Sequence, residues 1–401
     1  MLMDRIKNGL LIFDGLIFDM RRILQSDLVL NEPLPWPLYD EDGNLLFREG
    51  YVLSIPRHIN ALLARGAYAP EPPPDPSQQP TLALPECAVA VPTSDPVFIR
   101  ADRLAMTLKR LHAHLQAATL KTELRPVILG LAHGILDACD EDADALLAAL
   151  HLDRQHPYLV IQQLLGATLV EMAARELGLA ESDRLSLACA ALTRDLSLLP
   201  VQAQLDQQAG ALTPQQAALV RSHPDRSAAL LAEMGVTDAL WLELVRQHHE
   251  RFDGSGYPRG LSGDAILPGA RLLAIADSYA AMVTPRPNRA GQFPRDALKA
   301  LFLDRVRLYD DPLVQLSIKT LTMHPPGTLV RLANGEFAVV RSRQKLNESI
   351  DLWSLYDSSG MPILRPQYRD STDPAHDITG SLRVEDCRSA ALVLKRLWMQ
   401  S

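Results

Sequence analysis

The sequence predicts a mainly α protein, a helical bundle flanked by small β-rich N-terminal and C-terminal domains. Three observations carry this expectation. Between Arg100 and Thr322 apolar residues recur at three- and four-residue steps with few β-branched runs, which is the period of amphipathic helices. Before that stretch Asp42-Gly43, and after it Asn334-Gly335, each sit between apolar runs. Both pairs are strong hairpin signals, because the favoured two-residue turns need positive φ at both central positions. At 401 residues the chain also exceeds one typical core, so more than one domain is expected.

Taken in order, the run Gly9–Met20 is apolar but interrupted by Asp14 and Asp19. It is too short to span a bilayer and reads as either an amphipathic helix or a core strand. Leu45–Phe47 and Tyr51–Leu53 follow the Asp42-Gly43 turn, and Ile59–Ala64 reads as a short helix ending at Gly66. Residues 1–70 are therefore expected to form a small β-rich domain, with packing or dimerisation as its simplest role. Six prolines lie between Pro70 and Pro80, so residues 71–97 read as an extended linker.

Residues 98–323 are expected to form the helical domain, with helices at Asp102–Ala118, Arg125–Asp137, Ala143–Leu150, Pro157–Leu177, Glu181–Thr193, Pro214–Met234, Asp238–Gln247, Pro268–Met282 and Arg295–Leu303. Thr213-Pro214 is a good start signal, a hydroxyl cap followed by proline in the first helical position. Residues 324–401 then change texture. Alternating apolar runs around Asn334-Gly335, with Ile350–Tyr356 and Ser359-Gly360 beyond, predict a β-rich domain, open or barrel-like.

Hydrophobic residues make up 47% and charged residues 22%, the composition of an ordinary globular protein. A net charge of -8 argues against a polyelectrolyte reader of nucleic acid, while a local basic pocket for a small anion remains compatible with it. Cys87, Cys139, Cys189 and Cys387 have no short paired spacing, which indicates neither a zinc ribbon nor a disulfide framework. A cytoplasmic protein without a membrane segment is the expectation.

The densest chemistry lies at His248–Gly263, where adjacent histidines end an apolar-periodic segment and are followed by Gly254, Gly256, Gly260 and Gly263 around Tyr257-Pro258. Imidazole is a common metal ligand, and so much glycine is costly unless the backbone must take positive φ or approach something closely. The string His-His-Glu-Arg-Phe-Asp-Gly-Ser-Gly-Tyr-Pro closely resembles the signature of the HD-GYP family, bacterial hydrolases of cyclic dimeric GMP. The resemblance covers roughly residues 157–289.

That resemblance implies a bundle core in which His and Asp from several helices hold two or three metals. Asp195 falls at the bridging carboxylate, His223-Pro224 at the family's His-Pro, His248 and His249 at the doublet, and Asp277 at the aspartate of Ile-Ala-Asp-x-Tyr. Four positions depart from the pattern. The histidine of the paired His-Asp is Arg194, a downstream lysine is Leu198, an upstream histidine is Gln162, and a glutamate found in some members is Tyr158. His156 lies nearby, but its six-residue offset places it on another helical face.

One half of the metal site is therefore expected to survive, and the other to be broken. Guanidinium is permanently charged and has no acceptor lone pair, so Arg194 is expected to take the missing metal's place against Asp195 or Asp277. The remaining Asp195, His223, His248 and His249 either hold one divalent ion, iron, manganese, zinc or nickel, or persist as a hydrogen-bonded relic. The resemblance further implies that the Gly256-Tyr257-Pro258 loop meets the nucleotide, and that Arg286 and Arg289, nine and twelve residues after Asp277, meet its phosphates. The implied partners are cyclic dimeric GMP and a GGDEF-domain protein. The expected function is binding with hydrolysis lost, with two alternatives: a working phosphodiesterase with an atypical site, and a scaffold that binds neither metal nor nucleotide.

Overall fold

The structure is a computed structural model. It describes residues 95–117, 124–208, 210–343, 349–390, 394 and 396–399, together with an N-terminal set comprising 10–13, 16–23, 27–28, 34, 37–40, 45–47, 52 and 67–70. The chain divides into two compact units, Met1–Ala83 and Leu84–Ser401.

In the first unit Leu10–Phe13 (β1) and Leu16–Arg22 (β2) pair as an antiparallel hairpin, Leu10 opposite Asp19. The described parts of the apolar run are thus strand. Leu38–Tyr39 (β3) pairs with Leu45–Phe47 (β4), as the Asp42-Gly43 signal requires, and Tyr68–Pro70 (β5) completes a sheet of order β1-β2-β5-β3-β4. Ile23, Leu28, Leu34, Leu38, Ala67 and Ala69 form its core. The predicted helix at 59–64, residues 41–44 of the turn and residues 71–94 of the linker lie outside the described residues.

The second unit begins with α1 (Val97–Gln116) and α2 (Leu124–Leu152). The two helices predicted over 125–150 are present as two helical halves that meet at Asp142, whose φ of -157° and ψ of 83° are non-helical. Asp142 itself starts the second half, its Oδ1 accepting the Ala145 amide at 2.9 Å, which is helix-capping chemistry.

Tyr158–Glu176 (α3) is buried on nearly every face from Tyr158 to Ala174, as a central helix must be. Around it pack α2, Glu181–Thr193 (α4) and Pro268–Val283 (α8). Leu199–Gln207 (α5) and Asp311–Leu321 (α10) were not predicted. The first carries little apolar periodicity. The second had a usable signal, since Asp310 accepts the Leu313 amide and Pro312 sits in the first turn.

Pro214–Glu233 (α6) starts with a full capping box between Thr213 and Gln216, and Ala239–Gln247 (α7) is capped by Asp238. Pro294–Asp304 (α9) follows α8. No helix among the described residues is long and apolar enough to cross a membrane.

Leu329–Leu332 (β6), Phe337–Ser342 (β7), Asp351–Tyr356 (β8), Pro362–Asp370 (β9) and Ile378–Leu382 (β10) form an antiparallel sheet of order β10-β6-β7-β8-β9. β9 and β10 each pair with one neighbour, so the described strands make an open sheet rather than a barrel. Gly335 has φ 89° in the turn between β6 and β7, the conformation that favours glycine.

This sheet is continuous with the helical core. Arg343, just past β7, binds Asp144 of α2 through its backbone amide at 3.0 Å and through its guanidinium. Trp398 stacks on Phe98 of α1 with ring centroids 5.4 Å apart.

Candidate functional site

Four helices bring the candidate residues together. His223 is buried on α6, and Pro224 follows it within the helix. His248 is the C-cap of α7, with His249 next in the chain. Arg194 caps α4, Asp195 begins the short 3-10 turn Leu196–Leu198, and Asp277 lies on the buried face of α8. The turn after Asp195 is tied to α6, since the Ser197 amide donates to Ser227 Oγ at 3.1 Å and Ser197 Oγ donates to the His223 carbonyl at 3.2 Å.

The histidine tautomers follow from their partners. Nδ1 of His223 faces the Val220 carbonyl at 2.6 Å, and Nδ1 of His248 faces the Val245 carbonyl at 2.7 Å. A carbonyl only accepts, so each Nδ1 carries a proton, which leaves Nε2 as the ring nitrogen free to ligate a cation. Those two Nε2 atoms face each other at 3.2 Å.

Two lone pairs at that distance repel unless a cation lies between them. Tetrahedral metal–nitrogen bonds of about 2.0–2.1 Å place ligand nitrogens roughly 3.4 Å apart, close to the separation found. His223, His248 and His249 form the donor set whose atoms all lie within 4.8 Å of one another among the described residues. Asp195 Oδ1 adds a carboxylate 3.5 Å from His223 Nε2, and its buried Oδ2 lacks a hydrogen-bond donor. Three imidazoles and a carboxylate fit one borderline divalent ion.

Burial lowers the His248 pKa to about 4, helped by His223, with Asp195 and Asp277 opposing. It lowers His249 well below its ordinary value, with His248 and His223 adding to the effect. Neutral imidazole is the ligating form.

The opposite half of the site is organised around a fixed cation. Arg194 is 0% exposed. Its Nε donates to Asp277 Oδ1 at 3.0 Å and lies 3.4 Å from Asp195 Oδ2, while Nη1 donates to the Ala191 carbonyl. Nη2 is 2.9 Å from the same Asp277 oxygen but lacks hydrogen-bond alignment, so it contributes as an ion pair. Gln162 donates its side-chain amide to Asp277 Oδ1 as well.

Burial opposes ionisation of Arg194, yet Asp277 and Asp195 hold its pKa above the ordinary value. Burial likewise pushes Asp195 up, but Arg194, His223, His248 and a hydrogen bond from Gln163 bring it down on balance. This half does not fit a second metal. Guanidinium offers no lone pair, and one oxygen of Asp277 is already shared between Arg194 and Gln162.

The remaining candidates divide between this core and its rim. Leu198 is buried in the turn after Asp195. Tyr158 points its ring at Arg286, whose guanidinium carbon sits 4.3 Å from the ring centroid and whose Nη2 donates to the Tyr158 hydroxyl at 2.7 Å. Arg286 and Arg289 exchange backbone hydrogen bonds across a tight turn, and Arg289 Nη2 donates to the Ala281 carbonyl. His156 is engaged with Asp153 at 2.8 Å and Asp102 at 3.6 Å, and it does not join the histidine cluster.

The glycine loop folds over the doublet. The Tyr257 ring lies 4.8 Å from that of His249, tilted by 36°, and its amide donates to the His249 carbonyl at 3.2 Å. At Gly256 an added Cβ would lie 2.3 Å from the Arg251 nitrogen and 2.6 Å from the His249 oxygen, so only glycine fits. Burial raises the Tyr257 pKa, and the Asp277 and Asp195 carboxylates add to it, as they must for a phenol facing the polar core.

Two contributors escaped the sequence reading. Glu250 is buried and accepts the Arg259 amide at 2.7 Å and the Leu261 amide at 3.0 Å, closing the loop. A carboxylate between the doublet and the glycines was the available signal. Gln163, beside Gln162, hydrogen-bonds Asp195, and only its adjacency hinted at this.

A bundle that gathers histidines and aspartates from α4, α6, α7 and α8 into a buried polar centre defines a metal-site helical domain, and residues 147–313 match the family model described as HD domain. That match falls on the helical domain, and the relatives this chain is similar to include proteins named cyclic di-GMP phosphodiesterases.

The chain is 28% identical over 278 residues to a cyclic di-GMP phosphodiesterase of Pseudomonas aeruginosa, covering 65% of this chain and 67% of that relative. It is 27% identical to the 3'3'-cGAMP-specific phosphodiesterase 3 of Vibrio cholerae (54% of this chain, 47% of the relative). It is 32% identical to the cyclic di-GMP phosphodiesterase response regulator RpfG of Xanthomonas campestris (37% and 39%). The chain thus spans about two thirds of the first and under half of the other two. Bd1817, a HDG"Y"P protein from Bdellovibrio bacteriovorus, aligns over 76% of this chain and 99% of its own at 18% identity, with a TM-score of 0.48.

Proposed function

We propose that this protein is a degenerate HD-GYP member that takes part in cyclic di-GMP signalling by binding, with hydrolysis lost or strongly impaired. The observation that carries the reading is the fully buried guanidinium of Arg194 on Asp277 and Asp195. It substitutes one fixed positive charge for a metal with open coordination positions. A monocation saturated by carboxylates can neither bind a phosphoryl oxygen nor lower the pKa of water.

His223, His248, His249 and Asp195 would hold one divalent ion of the iron, manganese, zinc or nickel kind. When bound, such an ion supplies Lewis-acid polarisation. The chain's own groups do the rest. Tyr257, packed against His249, offers an aromatic ring at the loop, and Tyr158 holds Arg286 at the rim, where a planar fork matches phosphate oxygens. The nucleotide is supported by the relatives named above. Contact of the Gly256-Tyr257-Pro258 loop with a GGDEF-domain protein rests on the family resemblance.

The test is calorimetric titration of cyclic di-GMP into untagged protein, with the wild type compared to an Arg286→Ala, Arg289→Ala double variant, and with turnover assayed under manganese and iron. Binding weakened by about tenfold or more in the double variant, without release of linear dinucleotide, is expected. Robust hydrolysis would make the protein a working phosphodiesterase. Absence of binding at high micromolar nucleotide would make it a scaffold.

A further inference from the structure

A second cavity, separate from the histidine cluster, lies where α8 and its following loop face the C-terminal sheet, and it encloses about 330 Å³. Its walls come from four parts of the chain that meet only in the folded unit: the end of α2, the 283–294 loop, and the segments Gly327–Leu329 and Leu382–Glu385. Three arginines line it, Arg154, Arg286 and Arg383, against one carboxylate, Glu385.

The positive charges are not equally committed. Arg154 Nε is paired with Glu385 at 2.9 Å, and its Nη1 donates to the carbonyls of His151 and Asp153. Arg383 spends only Nη1, on the Gly291 carbonyl at 3.2 Å, and rests 5.1 Å over the ring of Phe293. Arg286 keeps a buried Nε that lies 3.9 Å from Asp206 and has no hydrogen-bond acceptor. His151 adds no charge at neutral pH, because burial lowers its pKa to about 4.

Two further features mark the cavity as built. Thr328 in its wall is 6% exposed, and its hydroxyl has no hydrogen-bond partner, a state that costs free energy unless something satisfies it. The 283–294 loop is fixed at Gly291, where an added Cβ would lie 2.1 Å from the Val283 carbonyl oxygen. A concave, preformed site with an apolar lining, convergent guanidinium groups and an orphan hydroxyl is the usual make-up of a small-molecule pocket.

We infer that this cavity binds a small organic phosphate of about mononucleotide size, its phosphate held by Arg383 and Arg286 and its body packed on the apolar wall. Three guanidinium groups against one carboxylate favour a dianionic head over a single carboxylate. Because Arg286 lines this cavity and also meets Tyr158, an occupant bridges the C-terminal sheet to the rim of the histidine-lined centre.

This site shares Arg286 with the proposed cyclic di-GMP contact, so its test turns on Arg383 and Thr328, which that reading does not use. Its test uses the full chain with inorganic pyrophosphate, GMP and citrate as titrants in calorimetry. Saturable one-site binding of GMP or pyrophosphate is expected, weakened by about tenfold in Arg383→Ala, the loss of one charge-assisted contact, and weakened in Thr328→Val. It should be unchanged in His248→Ala. GMP tighter than pyrophosphate identifies an organic phosphate, and the reverse order overturns the organic body.

Binding of citrate alone, no binding of any probe at about ten times the millimolar range typical of weak ligands, or affinities equal in wild type and both cavity variants would overturn the site. Should Arg383→Ala fail to fold, protection of Arg383 from phenylglyoxal by the bound probe in the wild type reports occupancy of the same cavity. Unchanged labelling in the presence of probe would sink the inference.

Discussion

Replacing Arg194 by alanine exposes what that residue does more directly than any activity assay. The side chain is 0% exposed and touches Asp277, Asp195 and the Ala191 carbonyl. Its removal leaves Gln162 as the remaining side-chain donor to Asp277 among the described residues. Breaking a buried pair by deleting one partner costs about 3–5 kcal/mol.

Asp277→Asn on its own strands the guanidinium instead, but the double variant removes both charges and recovers part of the loss. The coupling energy across this cycle is expected at roughly 1–3 kcal/mol. Urea denaturation followed by tryptophan fluorescence is a suitable assay, because Trp241 Nε1 donates to Thr193 Oγ1 at 2.8 Å, one residue from Arg194. If Arg194 stands where a cation is required, added manganese or zinc should also restore stability to Arg194→Ala while changing wild type less. A saturating ion at 100 times its Kd adds about 2.7 kcal/mol. A variant within about 1 kcal/mol of wild type, with no coupling to Asp277 and no metal rescue, would refute the reasoning.

Three further outcomes follow from the same geometry. Gly256→Ala places a methyl 2.3 Å from the Arg251 nitrogen, and backbone cannot yield as a side chain can. A loss of about 1–3 kcal/mol, with weaker metal affinity through the displaced His249, should appear in paired denaturation and metal titrations. Glu250→Ala strands the amides of Arg259 and Leu261, so hydrogen exchange at those two positions should accelerate while the core of α3 stays protected. Burial lowers the pKa of His112 and of His151 from 6.5 to about 4. Between those values the unfolded chain binds more protons than the folded one. Their contribution to stability is therefore complete above about pH 6.5 and is lost as pH falls toward 4, by about 1.4 kcal/mol per pH unit for each group. Denaturation midpoints across that range, in chelator, should flatten in His151→Asn.

The helical body was legible because α7 and α8 carry apolar residues at helical steps and α3 is a long, almost wholly apolar run, and the predicted Glu181–Thr193 coincides with α4. Periodicity fails where burial is partial, which is why α5 was missed.

Within the site the doublet and its glycines announced themselves locally. The joining of Arg194 and Gln162 to Asp277 could not be read from spacing, since these contacts span 83 and 115 residues. Long-range polar pairing has no period to detect. The inward turn of the Glu250 carboxylate had a sequence hint, but its two amide partners, nine and eleven residues on, depend on how the loop closes.

The break in α2 has a mechanical consequence. Asp144, two residues beyond it, is clamped by Arg343 at the end of β7. The helix then runs on to His151, whose Nε2 meets the Tyr279 hydroxyl at 3.1 Å. Tyr279 lies two residues after Asp277 on α8. The C-terminal sheet therefore grips one end of a rigid half-helix whose other end presses on the same turn that presents the carboxylate. A tilt of the sheet would act on that carboxylate as a crank acts on a shaft, with Asp142 as the pivot.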